Sequence, residues 1–350
     1  MKVAVVSAAA LPSPAPSYGG LESIAAYVAE ELSEQHEVTM FAAQGSRTTK
    51  ATLFETVPPQ YEPSRDWPVE GAAWKRMEPE LPKFDVVIDM SHAFHAYRHK
   101  LAHPEARVVK VVHDQLPSRT SPPPGSYDVL AGVSKFHAKL LEHYWGVPVT
   151  HLYNGIPTEQ LHFSNRKDGY LLFLSRLDPG KGAHVFLNLV DKLGRPPAIL
   201  AGDDDLRHGI DPHYRRAVLY RCVELGVDYR GQVTDAEKKE LLAHARAVVV
   251  PLADPYREVF GIWIVEALAS GTPVFTTAKG ACEELMTRMS GAVAVNEDYL
   301  LEGLRRFLAG EFEFDPQTCR EQARKFDISA SGRAYEAVVR SLGEKPSPHT

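Results

Sequence analysis

Short runs rich in valine, isoleucine and leucine alternate with helix-length stretches along this chain, and the rhythm occurs twice. In the first half the runs are Val3–Ser7, Val38–Ala42, Val86–Met90, Val108–Val112, Val129–Ser134 and Val149–Leu152. In the second they are Tyr170–Ser175, Ala198–Ala201, Ala247–Leu252, Pro273–Thr276 and Ala292–Val295. Continuous apolar runs of this length suit strands covered on both faces, the signature of parallel sheets whose crossovers are helices. The chain therefore reads as α/β with two Rossmann-like domains, residues 1–155 and 156–330. Asn154-Gly-Ile-Pro157 and the polar segment to Asp168 form the expected linker. The proline-rich stretches 11–16, 57–68 and 117–125 read as loops, and residues 344–350 as a frayed tail.

With 350 residues and 44% hydrophobic composition, the chain can bury a core in each of two domains. Its formal charge of −6 argues against non-specific nucleic-acid binding, which needs a dense cationic surface. The odd set Cys222, Cys282 and Cys319 has neither C-x-x-C nor zinc-ligand spacing, which fits a reducing, cytoplasmic setting. Residues 1–10 read as a first strand rather than a signal peptide, because a polar, glycine-rich loop and an amphipathic helix follow directly. No stretch approaches the roughly 18 apolar residues needed to cross a bilayer, so any membrane contact is expected to be peripheral.

Open parallel sheets bind ligands at the carboxyl ends of their strands, and a cleft between two such domains is the default site. Three segments follow strands and carry suitable chemistry. The first is Pro16-Ser-Tyr-Gly19-Gly20-Leu-Glu22, whose paired glycines precede a helix with apolar Leu21, Ile24, Val28 and Leu32 on one face. Glycines there allow a phosphate close to backbone N–H groups, although the spacing matches neither the dinucleotide fingerprint nor the P-loop. The second is Ser175-Arg176-Leu-Asp-Pro-Gly-Lys181-Gly182, with a planar guanidinium and a compact ammonium suited to phosphate oxygens. The third is Glu258-Val259-Phe260-Gly261-Ile262-Trp-Ile-Val-Glu266, two acids flanking a glycine-started helix that Ser270-Gly271-Thr-Pro273 terminates.

Taken together, these segments resemble the ordered motifs of retaining glycosyltransferase family 4, whose members have the GT-B fold and use nucleotide sugars. The third matches the family's E-x7-E signature, the first its P-x-x-G-G-x-E loop, and the second its G/S-R-L-x-x-x-K-G motif. One departure is Asp178-Pro-Gly, where the family usually has Glu just before Lys. The resemblance covers the first strand to about Ala292. It implies transfer of a hexosyl group from a UDP- or GDP-sugar to a hydroxyl acceptor (glycan, lipid or small molecule), with retention and without a metal. It also implies a final helix, about 331–350, packing back on the first domain.

By the same resemblance, Gly19, Gly20, Arg176 and Lys181 attend the diphosphate. Val259, Phe260, Gly261 and Ile262 belong to the donor site, Glu258 to the donor sugar, and Glu266 to the ribose hydroxyls. Gly202, in Ala201-Gly202-Asp203-Asp204-Asp205, takes the place of the family's A-G-x-G loop near the base, with an acid where a second glycine is usual. His113-Asp114 follows a strand where the family has a His-Asp beside sugar and acceptor, so His113 is the acceptor-side catalytic candidate. His92, His95 and Asp114 are candidate acceptor contacts. His92, His95, His99 and His103 would line one helix face, which raises a metal reading; zinc sites need tightly converging ligands, and none is indicated. The acids at 203–205 contain D-x-D, the metal motif of a different glycosyltransferase fold.

Two carboxylates also suggest a glycosidase, whose acid and base flank the scissile bond at about 5–10 Å, but a glycosidase has no use for two cations and two glycine-gated helix starts. A phosphorylase of the same fold needs a lysine for pyridoxal phosphate, and none is nominated. A nucleotide-sugar epimerase or hydrolase and a non-catalytic nucleotide-sugar-binding protein stay open as alternatives. The basic amphipathic segment Lys135–Trp145 reads as a helix packed on the first sheet. If the acceptor is lipid-linked, it is also where membrane contact is expected, with its aromatic residues exposed. Composition leaves the oligomeric state open.

Overall fold

The computed structural model describes residues 1–16, 19–61, 68–115 and 122–343. Ser17 and Tyr18 of the glycine loop, parts of the proline-rich stretches 57–68 and 117–125, and the tail 344–350 lie outside the described residues. The chain forms two compact units: Met1–Gly155 with the segment from Ile328 onward, and Ile156–Asp327.

The first unit runs β1 (Lys2–Val6), α1 (Gly20–Leu32), β2 (Glu37–Ala42), β3 (Thr52–Glu55), α2 (Pro68–Met77), β4 (Val86–Asp89), α3 (Ala96–Ala102), β5 (Arg107–Val112), β6 (Val129–Gly132), α4 (Lys135–Trp145) and β7 (Thr150–His151). Its seven strands lie in the order β3-β2-β1-β4-β5-β6-β7, all parallel. Val3 to Val6 are almost wholly buried, as expected of a central strand covered on both faces. Helix α1 buries Ile24, Val28 and Leu32 of the stripe predicted from spacing, while Leu21 is partly buried. Phe41, Trp74, Met77, Val87 and Val108 belong to one apolar cluster.

The second unit runs β8 (Leu171–Leu174), α5 (Ala183–Lys192), β9 (Ala198–Ala201), α6 (Pro212–Leu225), β10 (Asp228–Gly231), α7 (Asp235–His244), β11 (Ala247–Val250), α8 (Ile262–Ala269), β12 (Val274–Thr277), α9 (Cys282–Leu285), β13 (Gly291–Ala294), α10 (Glu297–Leu308) and α11 (Pro316–Arg324). Its six parallel strands take the order β10-β9-β8-β11-β12-β13. Thr158 ties the start of this unit to its end: its N–H and Oγ donate to Asp327 Oδ2 at 3.1 and 2.6 Å. The following helix, α12 (Ile328–Gly343), belongs to the first unit. There Ser331 Oγ donates to the Tyr153 carbonyl at 2.7 Å, Glu336 pairs with His36, and Tyr335 and Val339 are buried.

The edge strands β3 and β10 are absent from the sequence-derived strand set. Thr52-Leu-Phe-Glu55 and Asp228-Tyr-Arg-Gly231 are mostly partly buried or exposed, so neither carries the continuous apolar run of a central strand. In each sheet the winding reverses direction next to the first strand, between β1 and β4 and between β8 and β11. Loops leaving the carboxyl ends of such neighbours diverge and open a crevice.

Beneath the first reversal lies a buried ion pair that sequence reading passed over. Lys110 of β5 and Asp89 of β4 are each about 1% exposed, with Nζ 3.3 Å from Oδ2. Lys110 also donates to the Ser91 carbonyl and lies 4.9 Å from the Phe94 ring centroid, while Asp89 Oδ1 accepts from Ser91 N–H and Oγ at 3.0 and 2.6 Å. Removing one partner of such a pair strands a charge away from water. Lys110→Met is therefore expected to destabilise the first unit by about 3–5 kcal/mol, and adding Asp89→Asn should restore at least half of the loss. Urea denaturation of the single and double variants measures both effects.

Candidate active site

In the second unit, the loops after β8 and β11 bring Lys181 to Glu258. Lys181 Nζ lies 2.6 Å from Glu258 Oε2, and their side chains are 13% and 5% exposed. Burial works against the charge on Lys181, but Glu258 and Tyr256 outweigh it and hold the ammonium well above the ordinary lysine range. The Tyr256 ring lies under Lys181, with Nζ 4.5 Å from its centroid, and its hydroxyl donates to Glu258 Oε1 at 3.3 Å. Trp263 Nε1 donates to Glu258 Oε2 at 2.9 Å.

The backbone of Glu258 is fixed as tightly as its side chain. Its N–H donates to the Lys279 carbonyl at 3.2 Å, and its carbonyl accepts from Ala281 N–H at 2.7 Å. Gly280 makes the close approach possible: its φ is +83°, and a Cβ there would come within 2.1 Å of the Glu258 carbonyl oxygen. Arg176 lies in the same region and meets Asp178 at 3.1 Å, while Asp178 Oδ1 accepts from Gly180 N–H at 2.8 Å. The departure at Asp178 thus supplies a partner for Arg176 and a cap for the short turn that presents Lys181.

Gly261 is the N-cap of helix α8, which holds Glu266, whose Oε1 is 2.7 Å from Lys238 Nζ of α7. Phe260 is buried edge-on to Phe326, and Val259 and Ile262 are half-buried. Gly202, after β9, presses on the Ser175 carbonyl so closely that a Cβ would come within 1.8 Å. The acids beyond it go to separate partners. Asp203 pairs with His208 Nδ1 at 3.0 Å, Asp204 accepts from Arg215 Nε and Tyr229 Oη at 2.9 and 2.6 Å, and Asp205 pairs with Arg207 at 2.6 Å. No group of three or more His, Cys, Asp or Glu side chains that could hold a metal converges among the described residues.

In the first unit, a second charged cluster sits at the carboxyl ends of β1, β4 and β5. His92 Nδ1 lies 3.0 Å from both oxygens of Asp114, and Glu70 of α2 accepts from His92 N–H at 3.0 Å and from Ala93 N–H. Glu22, in the first turn of α1 beside Gly19 and Gly20, is buried and within electrostatic reach of both His92 and Glu70. Burial pushes the carboxyls of Glu22 and Glu70 up. Burial pulls the other way on His92, but the hydrogen bond and charge of Asp114, with Glu70 and Glu22, raise its pKa to about 9. Asp114, despite burial, is lowered by His92.

His113 differs from its neighbour in kind. Burial, with the nearby charges of Lys110 and His92, lowers its pKa to about 3, and its buried Nε2 has no hydrogen-bond partner among the described residues. It is a neutral imidazole with a hydrogen-bonding position open. His137 of α4, whose Nε2 meets the Asp114 carbonyl at 3.0 Å, is also lowered by burial, to about 4.

The histidine run divides. His92 joins Asp114; His95 immediately precedes α3 and lies beside Trp74, with ring centroids 6.1 Å apart. The rings of His99 and His103 are tilted against each other with centroids 5.0 Å apart, and both residues line a different cavity with Met1, Phe84, Asp85 and Gly343, toward the amino end of β1. The even spacing is interrupted because α3 begins only at Ala96. Helix α4 buries Ala138, Leu141 and Trp145, with Trp145 edge-on to Phe94 at 5.6 Å, which leaves Tyr144 as its one exposed aromatic residue. Among the described residues, no helix is long and apolar enough to cross a membrane. Residues that motif reading missed are Lys238, Tyr256, Trp263 and Glu70; the signal for Tyr256 and Trp263 was their closeness in sequence to Glu258.

Two family models divide the chain. Residues 18–160 match the model described as Glycosyltransferase Family 4, and residues 158–326 the one described as Glycosyl transferases group 1. An uncharacterized glycosyltransferase of Methanocaldococcus jannaschii is 30% identical over 146 residues, which is 40% of this chain and 35% of that protein. The chain spans between 26% and 35% of the length of the curated relatives it matches. Among solved structures, AviGT4, a glycosyltransferase involved in avilamycin A biosynthesis, has a TM-score of 0.75 at 23% identity, covering 99% of each chain. The Anabaena protein HepE, in complex with UDP and glucose, has a TM-score of 0.72 at 16% identity, covering 97% of this chain and 100% of that one. These likenesses establish the GT-B fold, two Rossmann-like units each with a parallel sheet.

The two imidazoles give a pH test. The folded-state pKa of His92, about 9, lies above its ordinary value of 6.5, so its contribution to stability is fully present below about 6.5 and is lost as pH rises through about 9. Imidazole NMR is expected to show His92 titrating near 9 and His113 still neutral at pH 5. His92→Gln should flatten the fall in stability between pH 7 and 9.5.

Proposed function

We propose that this chain, which belongs to the family 4-type glycosyltransferases, is a retaining enzyme that moves a hexosyl group from a UDP- or GDP-sugar to a hydroxyl acceptor without a metal. The observation that carries the reading is the buried Lys181–Glu258 pair at 2.6 Å, beside Arg176 and at the reversal between β8 and β11. It puts a cation suited to a leaving phosphate and a carboxylate suited to an electron-poor anomeric carbon into one desolvated place.

In the proposed reaction the bond from the anomeric carbon to the diphosphate oxygen breaks, and its electron pair leaves with the diphosphate. Arg176, Lys181 and the backbone at Gly261 receive that charge as fixed donors, while Glu258 holds the sugar and stabilises the developing positive charge. The acceptor oxygen bonds to the anomeric carbon on the same face. Its proton passes to the departing diphosphate oxygen, so atoms and charge balance. Glu266 is assigned to the ribose hydroxyls, with Lys238 steadying its carboxylate, and Gly202 to the neighbourhood of the base. The acceptor role goes to the first unit. His113, neutral with an open Nε2, is assigned a hydrogen bond to a sugar or acceptor hydroxyl, and His92 and Asp114 frame it. HepE was crystallised with UDP and glucose, which supports a nucleotide-sugar donor for this fold.

A thermal-shift panel of UDP-, GDP- and ADP-sugars against the free nucleotides, in metal-free buffer, tests the donor. At a hundredfold excess over the dissociation constant, binding is expected to stabilise by about 2.7 kcal/mol, with the shift reduced in Glu266→Ala. Lys181→Ala should weaken donor binding and cut turnover by one to two decades, the effect of losing a charge-assisted hydrogen bond of about 1.5–3 kcal/mol. His113→Ala should lower turnover alone. No shift with any nucleotide would overturn the reading. Consumption of a sugar nucleotide that no acceptor accelerates would assign a hydrolase or epimerase, and binding without turnover a sensor.

A further inference from the structure

We infer that Trp263 is the positioning residue of Glu258: its indole N–H keeps the carboxylate aimed when Lys181 turns from it toward a diphosphate. The inference rests on the donor-site reading above. Glu258 Oε2 has two donors, Lys181 Nζ at 2.6 Å and Trp263 Nε1 at 2.9 Å, and Oε1 receives the Tyr256 hydroxyl at 3.3 Å. These donors differ in mobility and in charge. Lys181 is a flexible cation, and a diphosphate competes for it with more negative charge than one carboxylate carries. Trp263 is 8% exposed, fixed near the start of α8, and its Nε1 lies 3.3 Å from where a Cβ on Gly261 would stand.

An indole donates and never accepts. It therefore satisfies one lone pair of the carboxylate whatever Lys181 does, and it transfers no proton. With Lys181 drawn to phosphate, a carboxylate 4% exposed would otherwise keep only the longer bond from Tyr256 and be costly to leave charged. The Lys181–Glu258 pair is thus the resting state of the donor site, and the indole is what makes its opening tolerable. Gly180 adds to the same arrangement, because a Cβ there would lie 2.6 Å from Tyr256 Cβ; the lysine turn and the tyrosine pack as one piece.

The test has two independent arms. In the first, Trp263 is replaced by Phe and, separately, by 3-benzothienylalanine, an isostere without the N–H. With UDP-glucose or GDP-mannose, whichever the wild type turns over, kcat is expected to fall about tenfold or more in both variants, with the rise in KM for the donor smaller than the fall in kcat. Wild-type kcat in the benzothienylalanine variant, or a rise in KM alone, overturns the proposal. In the second arm, no substrate is needed. The indole 1H–15N resonance lost in Trp263→Phe is followed in wild type and Glu258→Gln, where an upfield shift is expected from replacing a charged acceptor by a neutral one. An unmoved resonance overturns the proposal even if the enzyme is active. If the resonance moves but no nucleotide sugar binds the wild type, the donor-site reading fails and the hydrogen-bond assignment stands.

Discussion

Each sheet is wholly parallel, and the rest of the molecule follows from that constraint. Parallel neighbours cannot be joined by a tight turn, so each strand delivers its next loop to the same edge, and most of the crossovers carry a helix. Where winding reverses, beside β1 and β8, adjacent loops leave in opposite directions. The residues with chemistry gather there because other positions on the strands are taken up by packing: Val3 to Val6 and Leu171 to Phe173 are nearly inaccessible. One architecture, used twice, supplies two edges at which charged side chains gather.

The two edges solve the same electrostatic problem differently. Around His92 three carboxylates surround one imidazole, and the cation is made by its surroundings: without Asp114, Glu70 and Glu22, burial would leave His92 neutral. Around Glu258 the cation is intrinsic, since a lysine is charged on its own and needs the carboxylate chiefly to tolerate burial. The first cluster responds to pH near 9, whereas in the second Glu258 and Tyr256 hold the charge on Lys181. Two histidines one strand apart in the sheet, His92 and His113, are consequently opposite in character, one a cation and the other a neutral acceptor or donor.

The central strands and the motif loops were legible in sequence because burial on both faces leaves an unbroken apolar run, and because glycine, lysine and glutamate at fixed spacing have few other uses. What could not be read is who meets whom. Lys181 and Glu258 are far apart in sequence, and their pairing depends on Gly280 letting two backbones touch. Separate roles for the two were expected; a direct bond between them was not. Edge strands β3 and β10 were invisible for lack of an apolar run, and nothing in the run Val108–Val112 marked Lys110 as fully buried against Asp89. The histidine spacing suggested one helical face, but the helix starts too late to carry all four.

The path of the chain through the two units also sets an order on the ribosome. The second unit is one unbroken stretch, Ile156–Asp327, closed on itself by Thr158 and Asp327, so it has everything it needs to fold as soon as it has emerged. The first unit, although synthesised earlier, lacks α12 until the end, and its α1 face and the Tyr153 carbonyl wait for Tyr335, Val339 and Ser331. The half made first is finished last. Until α12 emerges, the surface of α1 that Tyr335 and Val339 cover stays open to solvent.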